Sequence, residues 1–265
     1  MNKIVVPKIK IDKISVLPEK LYILPCHADI WLIHSDADED TFERLLKTLS
    51  HDELIKAERL ISTEKRRHFV VSRGILRYLL SRYLNTEPEE LEIIYTKNGK
   101  PVLTGSDQDK LSYNLSHSHG NIFYGITAGG EIGVDIEKIR SNASIMGIAH
   151  RQFTEPELQI VEQTEHEDTL RMFFKIWTRK EAVLKAFGMG LLLPMRNFDV
   201  SNVPGNPVQF LEPLPIQDSN EKKTSNWYIF DVNVIENYCT ALSVNFIPEI
   251  IHIFTISPDD FFRET

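Results

Sequence analysis

Residues 132–137 read Ile-Gly-Val-Asp-Ile-Glu, a stretch in which apolar and acidic side chains alternate. Successive side chains of a strand point to opposite faces, so the apolar residues share one face, and Asp135 and Glu137 share the other. The alternation therefore predicts a half-buried strand with two carboxylates on one side. A solvent-facing strand surface accounts for such a pair as readily as a functional site does, and the strand alone leaves both interpretations open.

A helix predicted at Thr169–Phe187 adds a third carboxylate. On a wheel of about 100° per residue, the apolar residues of this helix form one stripe, and Glu181 lies near its middle. A buried carboxylate needs a cation. Lys185, one turn further on, could form an ordinary i,i+4 pair with Glu181, but such a pair leaves the central position unexplained. A divalent metal shared with Asp135 and Glu137 explains it, and an all-oxygen ligand set suits Mg²⁺.

The polar stretch Asn114-Leu-Ser-His-Ser-His119 lies at the end of a strand predicted at Leu111–Leu115. Its hydroxyls and imidazole suit hydrogen bonds to phosphate, although a turn with a satisfied histidine remains an alternative. His117 and His119 could also ligate zinc from an extended backbone. No cysteine or third histidine lies near them in the sequence, which disfavours zinc.

Basic residues concentrate between Arg59 and Arg82. Most runs of this kind are solvated helix faces, and that interpretation fits Lys65 and Arg66. Arg73 and Arg77 lie among apolar residues instead. At a shift of 104 residues they fall on Trp177 and Glu181 of the helix that carries the third carboxylate, so we expect both to face a cleft.

Two helical regions, 41–84 and 155–187, align without a gap at a shift of 104 residues and keep the phase of their apolar positions. Glu53 then falls on Glu157, and Phe69 on Phe173. Amphipathic helices agree in this way by chance, but an internal duplication is the alternative. Two such halves, each with helices and antiparallel strands, would pack about a pseudo-two-fold axis with a cleft between them.

The order of the predicted helices and strands divides the chain into four parts. A Lys/Ile-rich arm or edge strand is predicted at 1–20, an N-terminal α+β half at 21–129, a C-terminal α+β half at 130–247 and a tail at 248–265. The Gly-rich connection Ala128–Glu131 favours a hairpin between the strands on either side of it. Five prolines and a polar run predict a surface loop over residues 194–226.

The composition excludes several classes of protein. The 265 residues carry 30 basic and 38 acidic side chains, 30 − 38 = −8 at pH 7, which disfavours nucleic-acid binding through bulk phosphate attraction. Cys26 and Cys239 are far apart, so neither a disulfide framework nor a zinc ribbon is expected. The sequence contains no signal peptide and no apolar run of membrane-spanning length. We expect a cytoplasmic protein without membrane or nucleic-acid partners.

Four motifs in order resemble those of the 4′-phosphopantetheinyl transferases of the Sfp-like, surfactin-synthetase-activating class. They are Asn98-Gly-Lys-Pro101, Asn114-Leu-Ser-His-Ser118, Gly133-Val-Asp-Ile-Glu137 and Trp177-Thr-Arg-Lys-Glu-Ala-Val-Leu-Lys185. The resemblance covers roughly Leu21–Phe246. It implies the fold of that family: a monomeric pseudo-dimer of two similar α+β halves, with the active site in the cleft between them.

By the resemblance, Asp135, Glu137 and Glu181 hold Mg²⁺, or Mn²⁺ in its place, on the pyrophosphate of coenzyme A. Lys185 contacts the same phosphates, and Asp135, Glu181 and Lys185 are the implied catalytic residues. Glu181 could accept a proton, directly or through water, and Lys185 could neutralise the leaving group. By the same resemblance, Ser116 and His117 bind the end of coenzyme A that bears the 3′-phosphate, and Lys100 contacts the nucleotide. Arg59 and Arg73, which lie in a loosely matching region, are also implied to bind coenzyme A.

The implied reaction is attack by a serine hydroxyl of an apo acyl, polyketide or peptidyl carrier protein on the β-phosphate of coenzyme A. Adenosine 3′,5′-bisphosphate is released. Such a transfer depends mainly on positioning and charge neutralisation. Three carboxylates would also serve a Mg²⁺-dependent phosphohydrolase acting on coenzyme A-like pyrophosphates, and a non-catalytic carrier-binding module is a third possibility.

Overall fold

A computed structural model describes residues 6–107, 109–141, 145–188, 193–201, 205–211 and 226–263. The helices are α1 Glu39–Lys47, α2 His51–Glu58, α3 Thr63–Leu84, α4 Ile145–Gln152, α5 Glu155–Gln163 and α6 Thr169–Phe187. The strands are β1 Lys8–Lys13, β2 His27–His34, β3 Ile93–Tyr95, β4 Pro101–Leu103, β5 Ser112–Ser118, β6 Asn121–Thr127, β7 Ile132–Lys138, β8 Phe198–Asp199, β9 Gln209–Phe210, β10 Tyr228–Asp231, β11 Tyr238–Val244 and β12 Ile250–Thr255. The α+β class predicted from the sequence is confirmed.

Two sheets form the centre of the fold. The first has five strands in the order β1-β12-β2-β6-β5, and the second has three in the order β10-β11-β7. Strands β1, β12 and β2 run parallel, whereas the other neighbours are antiparallel. The short pairs β3-β4 and β8-β9 stand apart.

The two sheets pack face to face through apolar side chains. Ile30 of β2, Ile253 of β12, and Val134 and Leu242 of the second sheet belong to one buried cluster. The opposite face of the first sheet packs against α3, and the opposite face of the second packs against α6. Alternation along each strand thus produces four layers: helix, sheet, sheet, helix.

The helix pairs α2–α3 and α5–α6 repeat a detailed local structure. Each shorter helix begins with a capping box, Ser50 with Glu53 and Thr154 with Glu157, in which side chain and backbone satisfy each other's hydrogen bonds. The same glutamate then pairs with a buried cation of the longer helix: Glu53 with Arg77 at 2.7 Å and Glu157 with Lys180 at 2.8 Å.

The repeat therefore has a 104-residue spacing in the shorter helices, 157 − 53, and a 103-residue spacing at the buried cations, 180 − 77. The gapless alignment aligned Arg77 with Glu181, which is the wrong equivalence. The expectation that Arg77 faces a cleft is also wrong, because its side chain is 1% exposed against Glu53.

The predicted hairpin around Ala128–Glu131 is wrong. Strand β6 belongs to the first sheet and β7 to the second, so these residues carry the chain from one sheet to the other. The tight hairpin joins β5 to β6 instead, where His119 and Gly120 have φ angles of 48° and 81°. A Gly-rich connection looks the same in sequence whether its flanking strands pair or separate.

The predicted tail at 248–265 contains a strand in the interior of a sheet. Ile250–Thr255 inserts between β1 and β2, parallel to both. The apolar residues of this stretch, Ile250, Ile251, Ile253 and Phe254, are typical of a strand. The edge strand expected within 1–20 is confirmed as β1. Residues 202–204 and 212–225 of the predicted loop lie outside the described residues. Among the helices that the structure describes, none is both long and apolar enough to cross a bilayer.

Gly133 allows α6 to lie directly on β7. A Cβ atom at this position would be 2.1 Å from the carbonyl oxygen of Ala182 and 2.3 Å from the amide nitrogen of Ala186. Both are backbone atoms, so a contact of this kind cannot be relieved by a side-chain rotation. The absence of a side chain at Gly133 sets the distance between the helix and the strand.

We expect Gly133→Ala to lower the free energy of unfolding by about 1–3 kcal/mol or more, the scale of overpacking in a core. Urea denaturation measures this. Gly147→Ala is the matched control, because a Cβ there meets nothing within 4 Å and alanine favours a helix by roughly 0.5–1 kcal/mol. Equal stability of Gly133→Ala and the wild type would contradict the close packing.

Candidate functional site

A cluster of polar side chains forms where β5, β7 and α6 meet. The Lys185 ammonium on α6 lies 2.6 Å from Oδ1 of Asp135 on β7 and donates to Oγ of Ser116 on β5 at 2.7 Å. The Ser116 hydroxyl in turn donates to the same Asp135 oxygen at 2.8 Å. The structure thus brings together three of the residues singled out in the sequence, one from each element.

Strands β5 and β7 are joined by side chains instead of a backbone ladder. The backbone N–H of Val134 donates to Oδ1 of Asn114 at 3.0 Å, and the N–H of Lys138 donates to Oγ of Ser118 at 3.1 Å. With the Ser116–Asp135 bond between them, these contacts form a seam along alternate residues of β5. Asn114 was not predicted to have this role, although the Asn-x-Ser-x-Ser alternation of residues 114–118 indicates a polar strand face.

Asp135 is 3% exposed. Its second oxygen, Oδ2, is buried and has no hydrogen-bond partner among the described residues. A buried carboxylate oxygen without a partner is costly. This atom is the natural acceptor for an added cation or donor.

Glu137 and Glu181 extend the negative charge of the cluster. Burial and the neighbouring Asp135 carboxylate raise the pKa of Glu137, which lies 3.5 Å from the Ser118 hydroxyl. Burial, then the charges of Asp135 and Glu137, raise the pKa of Glu181 to about 7 against the opposing effect of Lys185. Glu181 is only partly buried and lies at the margin of the packed face of α6, not at its centre.

The donor set of this cluster fits Mg²⁺ in its chemistry. Asp135, Glu137 and Glu181 with Lys185 sum to −3 + 1 = −2 when all are ionised, and their ligand atoms are oxygens. In the described part of the chain, no three His, Cys, Asp or Glu side chains already converge on one point. Mg²⁺ usually takes one or two protein carboxylates, keeps waters and uses phosphate oxygens of a substrate, so a converged cage is not required.

A cavity of about 780 Å³ lies between α3 and the β5–β6 hairpin, on the face of β5 opposite the cluster. Arg73 lines it, and its buried Nη1 has no hydrogen-bond partner among the described residues. His117 also lines it, with its ring 4.8 Å from the ring of His68. Burial of part of the ring, then the charges of Lys185 and Arg73, lower the pKa of His117, which favours the neutral form at pH 7.

Ser116 and His117 lie within β5, not after it, so the strand extends further than predicted. As neighbours on a strand they point to opposite faces, Ser116 to β7 and His117 to the cavity. His68 was missed in the sequence because nothing local distinguishes it. Its position beside His117 depends on the packing of α3 against β5.

The structure does not bring Lys100 and Arg59 into this cluster. The Lys100 ammonium bonds the Glu131 carboxylate at 2.9 Å and the Ala186 carbonyl at 3.1 Å, near the end of α6. Arg59 is exposed at the end of α2, next to Leu60 of the cavity wall.

Two family profiles match the chain, one over each part. Residues 36–128 match the profile described as 4′-phosphopantetheinyl transferase, N-terminal, and residues 131–243 match that of the 4′-phosphopantetheinyl transferase superfamily. The boundary between the matches falls where the chain crosses from the first sheet to the second.

Named relatives of this chain are also phosphopantetheinyl transferases. The 4′-phosphopantetheinyl transferase HetI of Nostoc sp. (strain PCC 7120) is 34% identical over 193 residues, 72% of this chain and 81% of the relative. The 4′-phosphopantetheinyl transferase AcpT of Escherichia coli is 39% identical over 112 residues, 42% of this chain and 55% of the relative. The L-aminoadipate-semialdehyde dehydrogenase-phosphopantetheinyl transferase of Mus musculus is 25% identical over 211 residues, 75% of this chain and 68% of the relative. This chain belongs to the 4′-phosphopantetheinyl transferase superfamily.

Proposed function

We propose that this protein transfers the 4′-phosphopantetheine group of coenzyme A to a serine of an apo carrier protein, releasing adenosine 3′,5′-bisphosphate. The observation that carries the proposal is the Ser116–Asp135–Lys185 cluster on one face of β5, with a cavity lined by Arg73 on the other face, in a chain of this family. Acyl, polyketide and peptidyl carriers all remain candidate acceptors. The reaction is proposed for the cytoplasm, since the cysteines are unpaired.

The carboxylates have distinct proposed tasks. Asp135, Glu137 and Glu181 would hold Mg²⁺ or Mn²⁺, which neutralises the pyrophosphate and polarises the phosphorus that is attacked. Glu181 would accept the proton of the attacking serine, directly or through water. The unpartnered Oδ2 of Asp135 supports its role as a ligand.

Lys185 is proposed to neutralise the departing phosphate. Its ammonium already bridges β5 and β7, and a phosphate oxygen in place of the Ser116 hydroxyl would keep it bonded. A charge-assisted bond of this kind strengthens as the leaving oxygen gains negative charge. Ser116 would then be free to donate to the same phosphates.

The 3′-phosphate end is proposed to bind at Arg73 and His117. Strand β5 is the outermost strand of its sheet, so a ligand crossing its edge can contact Ser116 on one face and His117 on the other. Arg73 supplies a buried N–H without a partner. Lys100 could contact the 3′-phosphate end only if it released Glu131, and Arg59 only if its side chain turned inward from the surface.

The division into halves at 129/130 is likewise proposed. The site then consists of Ser116 from one half with Asp135 and Lys185 from the other, all within a single chain. The catalytic unit is therefore proposed to be the monomer. Residues 250–255 would belong with the first half, since β12 lies in its sheet.

We expect coenzyme A, Mg²⁺ and a panel of apo carriers to yield a carrier heavier by one phosphopantetheine group, measured by mass spectrometry. Asp135→Asn and Glu181→Gln should lose activity by about 10²-fold or more, the scale of charge-stabilising groups. Glu155→Gln, an exposed carboxylate on α5, is the matched control. Coenzyme A cleavage without a gain in carrier mass would favour the phosphohydrolase, and absence of turnover with every carrier would favour the binding module.

A second prediction concerns pH and Mg²⁺ without coenzyme A. The pKa of Glu181 is raised from 4.5 to about 7, so the metal-free protein should lose stability as the pH rises through that window. Mg²⁺ binds the ionised carboxylates. The rise in Tm on adding Mg²⁺ should therefore be larger at pH 8 than at pH 6, and Glu181→Gln should reduce the difference. If Mg²⁺ raised the Tm of the wild type equally at both pH values, Glu181 would not be among the metal ligands.

A third prediction tests the 3′-phosphate site. Dephospho-coenzyme A should bind more weakly than coenzyme A by about 1–3 kcal/mol, because charged donors lose their partner. The defect should lie mainly in KM, since the reacting pyrophosphate is unchanged. Calorimetry and steady-state kinetics measure both quantities. Arg73→Ala should bind the two ligands more equally, and a fully retained preference in this variant would remove Arg73 from the site.

A further inference from the structure

The turn between β3 and β4, residues 96–100, contacts the C-terminal end of α6. Nδ2 of Asn98 donates to the carbonyl oxygen of Gly188 at 2.9 Å, and the Lys100 ammonium donates to that of Ala186 at 3.1 Å. The last carbonyl groups of a helix have no partner within the helix, and a cation is favourable there because it opposes the negative end of the helix dipole. The turn thus supplies two donors, one of them charged, to the end of α6.

The Lys100 ammonium also reaches the beginning of β7. It bonds the Glu131 carboxylate at 2.9 Å, and Glu131 directly precedes the first residue of β7. The N–H of Glu131 in turn donates to Oδ1 of Asn245 at 2.8 Å. One cation therefore joins the β3–β4 turn, β7 and α6. The Lys100 side chain is only 14% exposed, so these bonds are largely shielded from solvent and salt.

The backbone of Ala186 is fixed from two sides. Gly133 of β7 lies against it, since a Cβ atom at Gly133 would be 2.3 Å from the Ala186 amide nitrogen. Lys100 adds a hydrogen bond to the carbonyl oxygen of the same residue and ties it to Glu131. Close packing thus sets the distance between α6 and β7, and the bonds of Lys100 oppose movement of the helix end along the strand.

We propose that Lys100 is a positioning residue, which holds the end of α6 so that Lys185 stays bonded to Asp135. Lys185 directly precedes Ala186, so movement of the Ala186 carbonyl group displaces Lys185 as well. The Lys185 ammonium lies 2.6 Å from Asp135, a contact that a small displacement of the helix would break. The catalytic consequence rests on the proposed function, whereas the contact itself belongs to the protein without substrate.

This role differs from the nucleotide contact that the family resemblance implies for Lys100. In the described part of the chain, Lys100 does not line the cavity at which the 3′-phosphate is proposed to bind. A phosphate could reach its ammonium only by displacing Glu131 or the Ala186 carbonyl. The two roles predict different results for Glu131→Gln. A nucleotide ligand held back by Glu131 would bind more tightly in this variant, whereas a positioning residue would leave nucleotide affinity unchanged.

Hydrogen exchange of the α6 amides tests the contact without substrate. Lys100→Met keeps the length of the side chain and removes the donor, so the amides of the last turn should exchange about 10-fold faster or more, because local opening frees the end of the helix. Lys97→Met, a change of the same charge at an exposed lysine of the same turn, is the matched control and should exchange as the wild type does. Unchanged exchange in Lys100→Met would overturn the proposal, whatever the enzyme does.

Turnover and nucleotide binding separate the two roles. In Lys100→Met we expect kcat to fall by about 10-fold or more, because small displacements of reacting groups are costly. The affinity for adenosine 3′,5′-bisphosphate, measured by calorimetry, should stay within about twofold of the wild type, since no contact to this ligand is lost. Glu131→Gln should also lower kcat without tightening the ligand. The double variant should be no worse than Lys100→Met, because both residues act through one bond.

Three results would refute the positioning role. They are an unchanged kcat in Lys100→Met, weaker binding of the bisphosphate in that variant, and tighter binding of it in Glu131→Gln. Either change in binding would identify Lys100 as a nucleotide ligand. Failure of the wild type to modify any carrier would refute the proposed function instead, while hydrogen exchange at the end of α6 still reports on the contact.

Discussion

The seam between β5 and β7 is the contact on which the rest of the molecule depends. The first sheet ends at β5, and the second ends at β7, with no backbone ladder between them. Asn114, Ser116 and Ser118 supply that connection through their side chains. Because side chains replace a backbone ladder, Asp135 is drawn into a junction between two sheets, where part of it is shielded from water and left without a donor.

The packing of α6 on β7 adds the remaining charges to this junction. Gly133 allows the helix backbone to approach the strand, and Lys185 reaches Asp135 from that short distance. Burial, and then the charges of Asp135 and Glu137, raise the pKa of Glu181 against the opposing effect of Lys185. The cost of gathering like charges would fall if the cluster bound a cation, as proposed above, because the cation would offset the repulsion between the carboxylates.

The sequence predicted features that depend on neighbours along the chain. Alternation at 132–137 and the helical stripe at 169–187 are local, and both elements are confirmed. Features that depend on partners distant in the sequence were either not predicted or predicted wrongly. Ile250–Thr255 has a strand pattern whose neighbours lie more than 200 residues away, and Arg77 and Lys180 are equivalent only through their buried glutamates, one residue out of the gapless register. His68 belongs to the cavity because α3 packs on β5, which no local pattern indicates.

The position of β12 has a consequence for synthesis on the ribosome. Strands β1 and β2 are made early, yet the strand that separates them is Ile250–Thr255. At about 5–20 residues per second, the interval between the emergence of β2 and that of β12 is roughly 10–40 s. During that time the facing edges of β1 and β2 lack the strand that pairs with both of them. Helices α1–α3 can form and pack meanwhile, but the sheet closes only late in translation, so nascent chains interrupted before residue 250 should be the species that molecular chaperones retain.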